Sequence, residues 1–464
     1  MQSQIQTKIK VISQMILLLI AILLLSCEKF TQLDPPVTQL ISNTVFDNET
    51  TANAALGSLY SQSVTITGGS FNSPTSLGAL NSDEMDNYST SLSIQQIAGA
   101  HLIPSNSYST ALWSSCYQTI YYANSILEKS ELSAVLSEKT KNQLKGEALF
   151  FRALMHFTLT DFFGRVPIIL STNYMENTLA KQSTATAVLD AVIADLEKSA
   201  PLLQSDYAIS LNERIRANQF VAKALLARAQ LYRGNYASAE STASEVIANS
   251  QYSLTALTDV FLKNSKETIL AIKPLNAGQN TGEGNIFILT AKPTFLAFRT
   301  AFYNGFEAGD QRKTAWIGKV ISSGIDYYYP NKYKTRITTA TSEYSVLLRL
   351  AEIYLIRSEA RARQNKLDLA LADVDMIRSR AGLNKIAITN PSITKEALLD
   401  AILQERRSEL FTEWSHRWSD LKRFGKNVQV LTPIKTGYQT TAELYPIPTT
   451  DINLNSNLTQ NPGY

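Results

Sequence analysis

The sequence predicts a mainly all-α protein of stacked, tetratricopeptide-like helix pairs, joined to an irregular ligand-facing part with little strand. Two observations carry this. In residues 141–163, Leu144, Ala148, Phe151, Met155, Thr158 and Phe162 recur at spacings of four and three, and Phe150, Leu154, Phe157 and Leu159 widen the stripe. A helix apolar over so much of its circumference is buried among other helices. The second observation is a repeated helix–break–helix pattern. Residues 218–249 break at Gly234-Asn235, and residues 346–383 break near Asn365-Lys366. Small residues (Ala227, Ala229; Ser358, Ala360) stand where helices must approach closely. Helix pairs of this kind stack to bury a shared face.

In chain order, Lys8 and Lys10 precede an apolar run that ends at Ser26-Cys27. This is the layout of a secretory signal, and its unbroken core, 15–25, is too short to span the ~30 Å hydrocarbon layer. Residues 24–27 read as a lipobox, so Cys27 is expected to become the lipid-modified start of a mature body, 27–464, after removal of 1–26. The remaining cysteine, Cys116, reads as a small buried hydrophobe. Asp34-Pro35-Pro36 marks an extended tether. A helix is expected from about Asn48. Residues 61–108 then lose periodicity and are expected to form loop around the polar cluster Asn81–Tyr88. Helices are expected again over 109–129, 141–163 and 185–199, the first pair over 218–249, the second over 346–383, and a last helix over 395–414. Between the pairs, 251–343 is irregular. It holds a glycine-rich turn at 276–284, an aromatic stretch at 295–306, Trp316, and the run Tyr327-Tyr328-Tyr329. In the 141–163 helix, Gly164 suits a left-handed cap and Pro167 stops continuation. Phe151→Ala is expected to cost about 3–5 kcal/mol.

The charge is nearly balanced, 43 basic against 40 acidic side chains, without a long basic run, which argues against a nucleic-acid partner. No metal, phosphate-loop or nucleophile-elbow motif is present, and His101, His156 and His416 lie far apart in sequence. No cofactor is expected. Asp83, Glu84 and Asp86 raise the possibility of glycoside cleavage. Sequence neighbours rarely flank a substrate from opposite faces, so catalysis is not expected.

Several segments together resemble the SusD/RagB family of outer-membrane lipoproteins. They are Cys27 with its lipobox; Val45-Phe46 through Ala54-Ala55-Leu56 and Tyr60; Gly146-Glu147-Ala148, Phe151-Arg152-Ala153 and Gly164-Arg165-Val166-Pro167. Further on come Ala222 to Arg228; Arg349 to Leu355 with Glu359-Ala360; Glu405-Arg406-Arg407 with Glu409-Leu410; and His416-Arg417-Trp418 with Asp420-Leu421 and Arg423. The last are Tyr445-Pro446-Ile447-Pro448 and the ending Asn461-Pro462-Gly463-Tyr464. The resemblance implies one helical body built on four tetratricopeptide-like pairs and no catalytic activity. It also implies a place in the outer membrane as the lid of a SusC-type TonB-dependent transporter, with an oligosaccharide or other nutrient held on an aromatic, hydrogen-bonding surface.

Sugar recognition needs ring faces together with planar donors and acceptors. Trp316, Tyr327, Tyr328 and Tyr329, with Tyr303 and Arg312, are expected to supply one wall. Asn81, Asp83, Asp86 and Tyr88 are expected to supply the other. The family places ligand contacts in these two regions, whereas Lys332 and Tyr333 match a structural segment. Trp316→Ala is accordingly expected to lose binding alone. A helix-pair scaffold binding only protein, and a receptor for peptide, stand as alternatives.

Overall fold

The computed structural model describes residues 43–337 and 340–464. The signal segment, Cys27 and the proline tether lie outside the described residues. Among those described, no helix is long and apolar enough to cross a membrane.

The scaffold is built from eleven helices among the described residues. They are α1 (Glu49–Thr67), α2 (Pro74–Asn81), α3 (Ser107–Leu132), α4 (Glu138–Phe163), α5 (Ala185–Leu202), α6 (Gln219–Arg233) and α7 (Tyr236–Ile247), then α8 (Leu350–Arg363), α9 (Leu367–Arg380), α10 (Lys395–Glu409) and α11 (His416–Arg423). From α3 to α9 each helix packs on the next, and α10 closes on α8 and α9. That nearest-neighbour order is how stacked helix pairs bury a continuous core. Both breaks inside the pairs use a left-handed residue, Gly234 at φ 85° and Asn365 at φ 63°. Glycine, and less readily asparagine, accepts that backbone without a Cβ clash.

Helix α4 sits at the centre, as its pattern predicts, and Phe151 is fully buried with Tyr60 edge-on at 4.6 Å. Its few polar residues tie it to its neighbours. Arg152 grips Asp195 of α5 at 2.6 and 2.8 Å and donates to Asn124 of α3 at 2.8 Å. The fully buried Glu147 carboxylate accepts from Tyr60, Gln143 and Arg216. His156 accepts the Ile169 N–H on Nε2, and burial holds its pKa down near 3, so it is a neutral bridge. Buried polar groups persist only when so paired. The C-terminal segment closes the end of this helix: Tyr445 N–H donates to Phe162 O, and Asn461 donates to Phe163 O. Cys116 is buried on α3.

Three expectations are corrected. Residues 61–108 are about half helical: α1 continues to Thr67, and α2, a short helix Leu92–Ala98 and the start of α3 follow. Every residue of α2 is buried, so it has no polar face and shows no period. Gly78 lets its backbone pass against Ser415, where a Cβ would lie 2.4 Å from the neighbouring Cα. Second, residues 346–349 are not helix. Ser345–Arg349 is a strand paired antiparallel with Thr268–Ile272, and both are wholly buried. A short buried apolar run has no periodicity to separate strand from helix. Third, Gly282 and Gly284 open a helical turn, Gly282–Phe287, capped by the Thr281 hydroxyl.

Phe46–Tyr464 form one compact unit. Its irregular middle is fastened to the helices by a buried ionic cluster. Arg312 binds Asp310, Glu405 and Glu409. Arg349 binds Glu267, Glu409 and Glu413, and Arg380 joins Glu267 to Glu409. Lys332 donates to the carbonyls of Glu409 and Phe411 and to the Glu413 carboxylate.

Candidate functional site

The early and middle regions meet through a short ladder. Strand β1 (Met85–Asn87) pairs antiparallel with β3 (Leu296–Phe298); β2 is the Thr268–Ile272 strand described above. Tyr88 N–H extends the ladder by donating to Phe295 O at 2.7 Å, and Arg299 N–H donates to Glu84 O. Across the same surface, Arg299 pairs with Asp86 at 2.6 Å. The hairpin β4 (Ile317–Ser322) and β5 (Ile325–Pro330) lies against β3. The two segments expected to form walls are thus joined side by side.

Beside this ladder is an open cleft of about 530 Å³. Its aromatic floor runs from Tyr108 to Phe71, centroids 5.1 Å apart, and on to Phe295 at 6.3 Å. Phe295 is 52% exposed. Opposite Phe295 on the ladder, the exposed Tyr88 meets Tyr327 edge-on at 5.8 Å. Asn285, Thr290 and Thr294 line the cleft with amide and hydroxyl groups, and Lys292 and Arg336 add two cations. Flat ring faces beside hydroxyls, an amide and a guanidinium fork suit a polyhydroxylated ligand with one apolar side. Phe71 and Tyr108 were not anticipated. Each is a single aromatic in a polar stretch, and only folding places them beside Phe295, which lies in the noted aromatic segment.

The residues expected at the site divide. Asp86, Tyr88, Tyr303, Tyr328 and Tyr329 reach the surface at least in part. Tyr327 is buried behind Tyr88. The tyrosine run is not one wall, because strand side chains alternate. Tyr327 and Tyr329 share one face of the hairpin. Tyr329 lies across Gly318, where a Cβ would come within 2.2 Å of its ring. Tyr328 takes the other face and stacks on Tyr303 at 3.6 Å, with Lys313 over Tyr303 at 4.0 Å.

Asn81, Arg312 and Trp316 are corrections, and Asp83, though partly exposed, is held in ion pairs. Asn81 is buried and donates to the Tyr445 hydroxyl at 2.7 Å. Asp83 is clamped by Arg417 at 2.6 Å and Arg407 at 3.4 Å; burial works to raise its pKa, but the two guanidiniums outweigh it and hold the carboxyl below its ordinary value. Arg312 is wholly buried in the ionic cluster, and Trp316 is wholly buried with Nε1 donating to Leu257 O. Large side chains are spent on the core where the irregular region has to adhere to the helices.

The carboxylates considered for glycoside cleavage point to different partners: Asp83 to arginines, Asp86 to Arg299, and Glu84 inward, accepting from Thr412 N–H at 3.2 Å. Among the described residues no group of three or more His, Cys, Asp or Glu side chains is arranged to hold a metal ion. Glu84 Oε1 has no hydrogen-bond partner, and burial, with Asp83 adding to it, pushes the carboxyl up to about 8. A carboxyl raised in the folded state contributes stability below its unfolded value, which is lost as pH rises through the folded one. Glu84→Gln is neutral at every pH. Wild-type stability, relative to this variant, is therefore expected to fall between about pH 4.5 and 8 in denaturation series. A constant difference would refute the assignment.

A second concavity, of about 440 Å³, lies between α3 and the segments around Pro167–Thr178 and Asp451–Leu458. Trp113 donates to Asp451, and Tyr117 to Pro167 O, across its floor. Tyr108 and Tyr117 are nine residues apart on α3, about two and a half turns, so the two concavities use opposite sides of that helix. Exposed Tyr174, Met175 and Leu454 surround or neighbour the second.

Comparison with known proteins covers both halves of the chain. Residues 298–464 match the SusD family model, and residues 32–231 match a model described as starch-binding and associating with the outer membrane. A SusD-like protein of Formosa agariphila is 25% identical over 400 residues, 73% of this chain and 77% of the relative. The starch-binding protein SusD of Bacteroides thetaiotaomicron is 37% identical over 126 residues, 25% of this chain and 21% of that protein. Among solved structures, a SusD superfamily protein of Bacteroides vulgatus superposes with a TM-score of 0.80 at 21% identity, over 90% of this chain and 99% of that one. A laminarin-binding SusD-like protein gives 0.75 at 25% identity, over 90% and 100%.

Proposed function

The chain belongs to the SusD/RagB family, and on that footing we propose that it is a non-catalytic, glycan-binding lipoprotein of the outer membrane. It captures an oligosaccharide in the Phe71–Tyr108–Phe295 cleft and delivers it to a SusC-type TonB-dependent transporter. Cys27 carries the lipid that tethers the body to the membrane, at the cell surface. The observation that carries the reading is the cleft itself: three neighbouring aromatic rings, tilted 54° and 53° to one another and one of them half exposed, beside amide, hydroxyl and guanidinium groups. A pyranose has one apolar face to lay on such rings and hydroxyls at its rim. The cleft also falls where the early and middle regions join, and Asp86 and Tyr88 extend the same neighbourhood. The laminarin-binding relative supports a saccharide as the ligand class.

Calorimetric titration of the full-length protein with a glycan panel tests this. Phe71→Ala and Phe295→Ala are each expected to weaken the saccharide that binds by about tenfold, the loss of one stacking partner. The thermal midpoint of Phe295→Ala should stay close to wild type. Binding of peptides without any glycan would refute the ligand class and leave a receptor role. A protein-binding scaffold is the second reading. It is favoured by the stacked helix pairs and by the exposed Tyr174 and Leu454 that line the second concavity. Co-purification of a protein partner without glycan binding would select it.

A further inference from the structure

The cleft carries charge of one sign. Lys292 and Arg336 line it, both exposed, and no Asp or Glu does. Neither cation forms an ion pair with a described residue. Among the described residues, Arg336 donates only to the Thr290 hydroxyl, at 3.3 Å, and that hydroxyl belongs to the cleft wall too. Of the other cations in this region, Arg299 is neutralised by Asp86 and Lys319 by Asp326. Within the cleft, then, two exposed cations stand beside aromatic rings without a carboxylate among the lining residues. A neutral sugar would leave both charges unanswered. A carboxylate or sulfate on a sugar ring would meet a guanidinium fork and an ammonium, with the ring seated on Phe71 and Phe295.

We propose that the cleft selects an acidic saccharide, one whose rings bear carboxylate or sulfate groups. This rests on the reading of the cleft as the glycan site. Phe71, Tyr108 and Phe295 supply stacking, which any pyranose can use, and Lys292 and Arg336 supply the choice among pyranoses. Because both cations face solvent, their attraction is screened by salt.

The test is calorimetry on the full-length protein with three probes of matched length: an oligogalacturonate, a sulfated galactan oligosaccharide and laminarihexaose. At least one acidic probe is expected to bind about tenfold more tightly than the neutral one at low salt. The preference should shrink as salt rises. The two acidic arms separate carboxylate from sulfate recognition. The Lys292→Ala/Arg336→Ala double variant, altered only at exposed positions, is expected to fold normally and to lose the acidic-over-neutral ratio. Equal or tighter binding of laminarihexaose would overturn the proposal and leave the glycan reading standing. So would an unchanged ratio in the double variant. Binding of none of the three, with a wider glycan panel also silent, would overturn the glycan reading itself.

Discussion

Glu409→Ala is expected to destabilise the protein by about 3–5 kcal/mol, the cost of breaking a buried ion pair from one side. Glu409 is wholly buried and serves three arginines, Arg312, Arg349 and Arg380. Its removal leaves positive charge in a place water does not reach. Burial alone would raise the carboxyl's pKa, but those three guanidiniums outweigh it and hold the value well below the ordinary range. A depressed carboxyl contributes stability that is full above its unfolded value and lost as pH falls toward the folded one. The wild type should therefore lose stability on acidification beneath the usual carboxylate range, and Glu409→Ala should lose less over the same interval. Urea denaturation at several pH values measures both. An unchanged midpoint would show that the cluster does not anchor the fold. The functional consequence follows from Arg312, which opens the helical turn Gln311–Trp316 leading into the tyrosine hairpin. Loosening the cluster should loosen one support of the cleft.

Trp316→Ala should also cost about 3–5 kcal/mol, as expected for emptying a large buried site. Trp316 has no exposed surface, donates to Leu257 O at 2.8 Å, and packs edge-on to Phe261 at 5.6 Å and to Phe411 at 6.3 Å. Lys332 lies 5.0 Å from its ring centroid. This reverses the sequence expectation of a variant that folds and fails only to bind. Thermal melting separates the two: the midpoint should drop, and the fraction still folded should keep its ligand affinity. A variant with wild-type melting and no binding would return Trp316 to the ligand surface.

These two residues show how unevenly the chain can be read. Helix α4 was legible because Leu144, Phe151, Met155 and Phe162 keep a helical period, and period is local information. The strand Ser345–Arg349 was not, because its burial on every side erases alternation, and its partner Thr268–Ile272 lies more than seventy residues away. Helix α2 was missed for the same reason. The run Tyr327-Tyr328-Tyr329 stands out in the sequence, but its division between two faces depends on the hairpin register. Phe71 and Tyr108 carry no signal of their own; they become a surface only through Phe295.

By itself the sequence determined the helical class, the order of the helix pairs, the central place of residues 141–163 and the family, because each depends on periodicity, breaks or motifs within short windows. Only the tertiary structure decided which polar and aromatic side chains face solvent. A tryptophan or arginine has the same identity whether it meets a ligand or fills the core. The choice is made by partners distant in sequence, as Glu405 and Glu409 are for Arg312, and the aromatic cleft is assembled the same way.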